Sequence, residues 1–440
     1  MPGVLRNVDY QDPIVRYRGQ KILDNLKKLA SQAEVKLDLA VDVYYSLYLP
    51  WPLLEDLGRV GLTNIEHYET IKTALNDDEF KRLRHYTIAD TFASAAIGTL
   101  FLINLFEELK SEEEQRGQMG MGKADGRPEE QPKEEGEGEG RKSKDLRTAV
   151  KNALKNTVEH AETIKELQHF VQGYTAGVGH TLDLDEDIVK TLKLIKNTDI
   201  KNILKFLMKI PDIKSLIKKK KLPYQRGEIE GYAVGSDIER IIPTELAYPS
   251  IYLYMRMAEN KLILYNKVLY LSMGPIYLLL DKSGSMDGNK ILWAKATALA
   301  LLMRCRSERR PFYIRFFDSE PYKVMKIRVG AKPSDVLKVV EYIASIRNGG
   351  GTDISKSIIT ACNDIMKGGS RDVSDIILVT DGEDRIAKSL VRKSLAYAKA
   401  RLISVMVMGD NGDLKELSYK YFKVVSLSKK EMLSVVEASD

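Results

Sequence analysis

From Ile276 onward, short apolar runs alternate with helical patterns, and this alternation constrains the fold more than any other feature of the chain. The runs are Ile276 to Leu280, Phe312 to Phe317, Tyr322 to Ile327, Asp375 to Thr380, Leu402 to Met408 and Phe422 to Leu427. Helical spacing appears near Lys290 to Ser307, Pro333 to Ser345, Ile354 to Met366, Ala387 to Ala400, Leu414 to Lys420 and Lys429 to Glu437. Such alternation predicts a parallel sheet covered by helices on both faces. The run at Tyr322 follows Phe317 after little more than Ser319-Glu320-Pro321, so it is predicted to be an antiparallel edge strand.

Open sheets of this kind bind ligands at the carboxyl ends of their strands. Asp281-Lys282-Ser283-Gly284-Ser285 leaves the first run and offers a carboxylate and two hydroxyls in alternation, so three oxygens can turn to one point. Gly349-Gly350-Gly351-Thr352-Asp353 is a glycine-rich turn that presents a hydroxyl at a predicted helix start. Ser374 to Thr380 ends in Thr380-Asp381-Gly382-Glu383-Asp384. Oxygen is the donor that a hard divalent cation such as Mg²⁺ requires.

In chain order, Asp281, Ser283, Ser285, Thr352 and Asp381 read D-x-S-x-S, then T, then D. This resembles the metal-ion-dependent adhesion site of von Willebrand factor A (VWA) domains, with all five family positions present. The resemblance implies an α/β doubly wound, Rossmann-like VWA domain over 275–440 with one short antiparallel edge strand. It implies Mg²⁺, or another divalent cation such as Mn²⁺ or Ca²⁺, held by those residues. Ser283, Ser285 and Thr352 would bind directly or nearly so, the two aspartates directly or through water. An acidic side chain of a partner would complete the site.

At 440 residues the chain exceeds what one hydrophobic core usually spans, so a multidomain protein is expected. The 68 Lys and Arg against 62 Asp and Glu leave only +6, spread over the whole length, which does not by itself imply nucleic acid, and no nucleic-acid partner is expected. Cys305 and Cys362 both fall in predicted helices and read as small buried apolar residues. So few cysteines, and no basic-apolar-small leader, predict a cytoplasmic protein. No segment is expected to reach membrane-spanning length. The nearest, Ile88 to Phe106, is interrupted by Asp90, Thr91, Ser94, Thr99 and Asn104 and reads as a helix buried in protein.

The α-helical N-terminal half begins with 1–110, where Ile22, Leu26 and Leu29 recur at helical spacing. Leu37, Leu39, Val41 and Val43 alternate as a strand would, and His67 and His85 are expected in surface or capping roles. Residues 111–145 form an acidic Gly/Glu-rich stretch, too poor in apolar residues to order, and are expected to be a disordered linker. Its Gly117 to Lys123 has P-loop spacing, but Ala124 stands where Ser or Thr is needed and no strand precedes it. Residues 146–274 read as a second helical region and connector, with Lys218 to Lys221 at a helix end, where four lysines complement the helix dipole and stay solvated; the sharper readings are an acidic partner surface or a nucleic-acid backbone, the former preferred. Leu264, Val268 and Leu271 suggest a helical connector.

The stretch Gly227-Glu228-Ile229-Glu230-Gly231-Tyr232, followed by Gly235-Ser236-Asp237-Ile238-Glu239-Arg240 and Pro243-Thr244-Glu245-Leu246-Ala247, carries a second resemblance. It is similar to the segment just ahead of the VWA domain in proteins encoded with MoxR-type AAA+ ATPases, the RavA–ViaA-like, CoxE-like family. That implies a MoxR-type AAA+ ATPase and a client protein as partners, with this chain as a non-enzymatic adaptor or substrate-recognition subunit. A capped connector in which Ser236 starts a helix accounts for the same residues. The rival is a haloacid-dehalogenase-like phosphotransferase or phosphatase with Asp281 as nucleophile, since DKSGS is one conservative step per hydroxyl from DKTGT. That scheme needs a hydroxyl where the Phe312 run ends in Phe317-Asp318, and it leaves the Gly-Gly-Gly-Thr loop without a role.

Overall fold

The computed structural model describes residues 3–438 except 34, 62–63, 122–134, 173–181, 183–185, 196–197, 209–220, 271–273, 369–372 and 383. Two compact units emerge, one of Met1–Lys209 with Ala331–Ile346, the other of Ile210–Gly330 with Arg347–Asp440.

The first unit is helical: α1 (Pro13–Leu29), α2 (Leu37–Tyr48), α3 (Ile65–Asn76), α4 (Asp78–Thr87), α5 (Thr91–Met121), α6 (Glu135–Gln172), α7 (Glu186–Ile195) and α8 (Thr198–Met208). Helix α5 packs along α6, and α1 along α2. The alternating stretch at Leu37 is helix, not strand. Eight consecutive residues from Ala40 to Leu47 are buried, so α2 has no wet face to impose a period of 3.6. His67 is also buried rather than at the surface. The expectation about membrane length needs correction too: Thr91–Ser111 is long and apolar enough to cross a membrane, although 72% of its apolar window is buried inside the protein. Of the 111–145 stretch, 122–134 lies outside the described residues, while its two ends continue α5 and begin α6. Lys218 to Lys220 also lie outside the described residues.

The second unit opens with a hairpin, β1 (Lys221–Gly235) against β2 (Leu262–Tyr270), enclosing α9 (Ser250–Ala258). Leu264 and Val268 therefore lie on a strand, where Leu262 and Leu264 are buried at a period of two; the predicted helical connector is absent. Asp237, not Ser236, caps the short 3-10 turn Ile238–Arg240.

The α/β part then runs β3 (Ile276–Asp281), α10 (Asn289–Glu308), β4 (Phe312–Phe317), β5 (Met325–Ile327), α11 (Pro333–Ser345), α12 (Ile354–Lys367), β6 (Ser374–Thr380), α13 (Lys388–Tyr397), β7 (Ala400–Val407), α14 (Gly412–Leu417), β8 (Lys420–Val424) and α15 (Lys429–Glu437). Helix α11 belongs to the helical unit, where it packs on α6 and α7. The sheet order is β5-β4-β3-β6-β7-β8, parallel throughout except for the antiparallel edge strand β5. Every residue of β3 and β6 is buried, as expected for strands covered on both faces. Tyr277 and Leu279 pack with Ile354, Ile358, Val391 and Leu395 of α12 and α13 on one face. Ile276, Leu278 and Leu280 point the other way by the period of two, and α10 runs beside β3 and β4.

Candidate metal centre

Topology assembles the site. The chain lays down β4 on one side of β3 and later β6 on the other, so the carboxyl ends of β3 and β6 border the switch point where open sheets bind ligands. Asp281 is the last residue of β3, and Asp381 directly follows β6.

Asp281 is 0% exposed. Its Oδ1 accepts the Ser283 backbone N–H at 2.8 Å, and its Oδ2 accepts the Thr380 hydroxyl at 2.5 Å. Burial pushes this carboxyl above the usual carboxylate range and the charge of Asp381 adds to the effect, while bonds from Thr380 and Ser283 oppose it. Ser283 Oγ lies 3.1 Å from Ser285 Oγ. Ser285 Oγ donates to Asp381 Oδ1 at 2.7 Å. Thr352 approaches Gly382 from its own loop with its methyl group: a Cβ on Gly382 would lie 3.3 Å from Thr352 Cγ2 and 3.8 Å from Asp281 Oδ2. Asp281, Ser283, Ser285 and Asp381 are thus chained by hydrogen bonds, and Thr352 stands over the same glycine as Asp281.

The glycine-rich loop is held by Lys282. Gly349 N–H donates to the Lys282 carbonyl at 2.8 Å, and the Lys282 ammonium donates back to the Gly349 carbonyl at 3.0 Å. That ammonium also pairs with Asp318 at 2.9 Å and lies 4.6 Å from the Tyr322 ring centre. Tyr322 in turn donates to Asp318 at 2.7 Å. Gly350 has φ +98°, and a Cβ there would come within 2.7 Å of Asp318 Oδ2, so only glycine lets the backbone approach so closely.

Among the described residues no three His, Cys, Asp or Glu side chains form a metal cluster. Ion binding here would therefore need the hydroxyls. Two carboxylates and three hydroxyl oxygens make an all-oxygen set, which fits a hard divalent cation. The same geometry lends no support to Asp281 as a nucleophile, because the side chain is buried with both oxygens engaged.

Sequence reasoning missed three residues that shape the site. Thr380 holds Asp281, Lys282 holds the glycine loop, and Lys290 donates to Asp381 Oδ2 at 2.6 Å. Lys282 lay inside the motif as its unassigned second position; Lys290 and Thr380 gave no signal, since their partners lie 91 and 99 residues away in sequence.

Residues 276–383 match the family model of the von Willebrand factor type A domain. An uncharacterized protein of Methanocaldococcus jannaschii is 27% identical over 385 residues, covering 84% of this chain and 83% of that protein. A solved von Willebrand factor type A structure from Catenulispora acidiphila is 15% identical with a TM-score of 0.33, covering 39% of this chain and 43% of that one. Proximal thread matrix protein 1 from the mussel byssus, solved with zinc in its MIDAS motif, is 16% identical with a TM-score of 0.33, covering 38% of this chain and 46% of that one. This chain thus spans less than half of either solved chain. The chain carries a von Willebrand factor type A domain, a module that generally mediates protein–protein interaction and often binds a divalent metal to do so.

Proposed function

We propose that the chain is a non-enzymatic interaction subunit whose VWA domain, 275–440, binds Mg²⁺ through Asp281, Ser283, Ser285, Thr352 and Asp381. The ion would supply a Lewis-acidic position for the carboxylate of a partner's Asp or Glu. Three of the five donors are neutral hydroxyls, which leaves the ion short of negative charge and favours an acidic fourth party. The observation that carries this reading is the 2.7 Å bond from Ser285 Oγ to Asp381 Oδ1, because it brings the first and third loops to one point. Exposed apolar side chains on α9, Ile251 at 78% and Tyr254 at 66%, are consistent with a binding role for the same unit.

The partner in this reading is a MoxR-type AAA+ ATPase, with the chain as its adaptor or substrate-recognition subunit in remodelling or maturing a client. Support comes from the likeness of the Gly227 to Ala247 stretch to the segment that precedes VWA domains in that family. The cytoplasm is the compartment this implies, where the buried thiols of Cys305 and Cys362 stay reduced. The test is a pull-down of an ATPase encoded beside this chain, in Mg²⁺ and in EDTA, with the parent and with Asp281→Ala. Capture should depend on both metal and Asp281; equal capture under all conditions would refute the metal-bridged reading.

A further inference from the structure

Lys290 is a charged side chain at the site that the five-residue reading leaves unused. It sits in the first turn of α10 and donates to Asp381 Oδ2 at 2.6 Å and to the Ser285 carbonyl at 3.2 Å. The other oxygen of the same carboxylate accepts from Ser285 Oγ at 2.7 Å. Asp381 is therefore divided between the hydroxyl cluster and an ammonium. Its side chain is only 3% exposed, whereas that of Lys290 is 25% exposed and opens toward solvent. Lys282, the neighbouring amine, is committed to Asp318 and the Gly349 carbonyl.

An ammonium and a divalent ion that draw on one nearly buried carboxylate repel each other, and the repulsion is strong where water is scarce. A negative group arriving from outside is attracted to both. We infer that Lys290 acts as a built-in competitor: it weakens the bare site for metal, and an incoming carboxylate, by meeting the ammonium, restores the affinity. Metal and acidic partner then bind cooperatively, and the coupling is reciprocal, so each tightens the other by the same factor. This inference rests on the metal-site reading above and adds the reason the site would stay open until an acid arrives.

The test titrates Mn²⁺ into the full chain by calorimetry, in chloride and in acetate buffer of matched ionic strength. The parent should bind Mn²⁺ more tightly in acetate. Lys290→Met should bind at least tenfold more tightly than the parent in chloride, with a smaller acetate effect, the remainder being acetate that meets the ion itself. Lys290→Arg keeps the charge and should track the parent. Lys290→Gln retains a donor toward Asp381 without the charge, and serves if Lys290→Met does not fold. Equal or weaker affinity in the neutral variants, or no acetate effect in the parent, overturns the inference. Asp281→Ala separates the two claims: if it leaves Mn²⁺ binding untouched, the metal-site reading has failed, and if it abolishes binding while Lys290→Met fails to tighten it, only the role of Lys290 has.

Discussion

Ser285 Oγ donates to Asp381 Oδ1 at 2.7 Å across 96 residues of sequence. Nothing local brings these atoms together. The pairing of β3 with β6, in which Leu280 faces Val379, delivers both loops to the same edge of the sheet. The bond is therefore a readout of sheet register as well as of site chemistry.

Removing either end should separate metal binding from folding. Ser285→Ala deletes one oxygen donor at an exposed position and should weaken Mn²⁺ about tenfold while costing roughly 1 kcal/mol of stability or less. Asp381→Ala removes a carboxylate and should take Mn²⁺ binding below detection. Calorimetric titration alongside thermal melts checks both. Unchanged Mn²⁺ affinity in Asp381→Ala would show that the third loop takes no part.

Lys282 provides no oxygen, yet its loss should also weaken the ion. The pair with Asp318 is nearly buried, at 9% and 12% side-chain exposure, and the same ammonium holds the Gly349 carbonyl. Lys282→Met leaves the nearly buried Asp318 without its cation, with only Tyr322 and the Glu320 N–H still bonded to it, at a cost of about 3 kcal/mol. It should also loosen the loop that brings Thr352 to Asp281. Adding Asp318→Asn removes the orphaned charge, so the double variant should regain stability in urea unfolding without regaining Mn²⁺ affinity. Recovery of both together would mean that Lys282 acts on stability alone.

The alternation of strands and helices was legible because a doubly wound sheet buries its strands on both faces and leaves its helices amphipathic. Helix α11 runs from Pro333 to Ser345 and α15 from Lys429 to Glu437, as their spacing predicts. The five oxygen-bearing positions stand out for a similar reason, since each closes a recognisable strand or lies on a loop between a strand and a recognisable helix. Elsewhere the pattern misled. Helix α2 is buried nearly all round, so polarity no longer marks its period, and a chance alternation of Leu and Val looked like a strand. Leu264 and Val268 are spaced as on a helix yet lie on β2, because pairing with β1 decides their state. Lys290 and Thr380 stayed silent because their partners are set by tertiary register.

Two buried groups in the helical unit should give opposite pH slopes. Burial lifts the Asp42 carboxyl to about 7, with Asp38 adding to the rise, against hydrogen bonds from Tyr10 and the Val4 backbone. Its folded value lies above the ordinary 3.8, so its contribution is complete below 3.8 and is lost as pH rises from there to about 7. Burial, then the charge of Lys36, lowers His67 to about 4. Its contribution is complete above its ordinary value of 6.5 and is lost as pH falls toward 4. Asp42→Asn should therefore gain stability relative to the parent between about pH 4 and 7, at up to about 1.4 kcal/mol per pH unit. Urea midpoints across that range check it; a constant gap would show that Asp42 does not titrate there.

Gly350 and Gly330 offer a controlled comparison of backbone strain with contact. Both have positive φ, +98° and +74°, so alanine at either carries the cost of a left-handed residue, about 1 kcal/mol or somewhat more. At Gly330 a Cβ would meet nothing within 4 Å, whereas at Gly350 it would press to 2.7 Å from Asp318 Oδ2. Asp318 cannot retreat freely, because Lys282 and Tyr322 hold that oxygen and the Glu320 backbone holds the other. Gly330→Ala should thus lower stability modestly and leave Mn²⁺ affinity alone. Gly350→Ala should cost more and weaken Mn²⁺ as well, since the loop carrying Thr352 must move to relieve the clash. Equal effects of the two substitutions on Mn²⁺ would mean that the approach of the glycine loop to Asp318 is not what sets the position of Thr352.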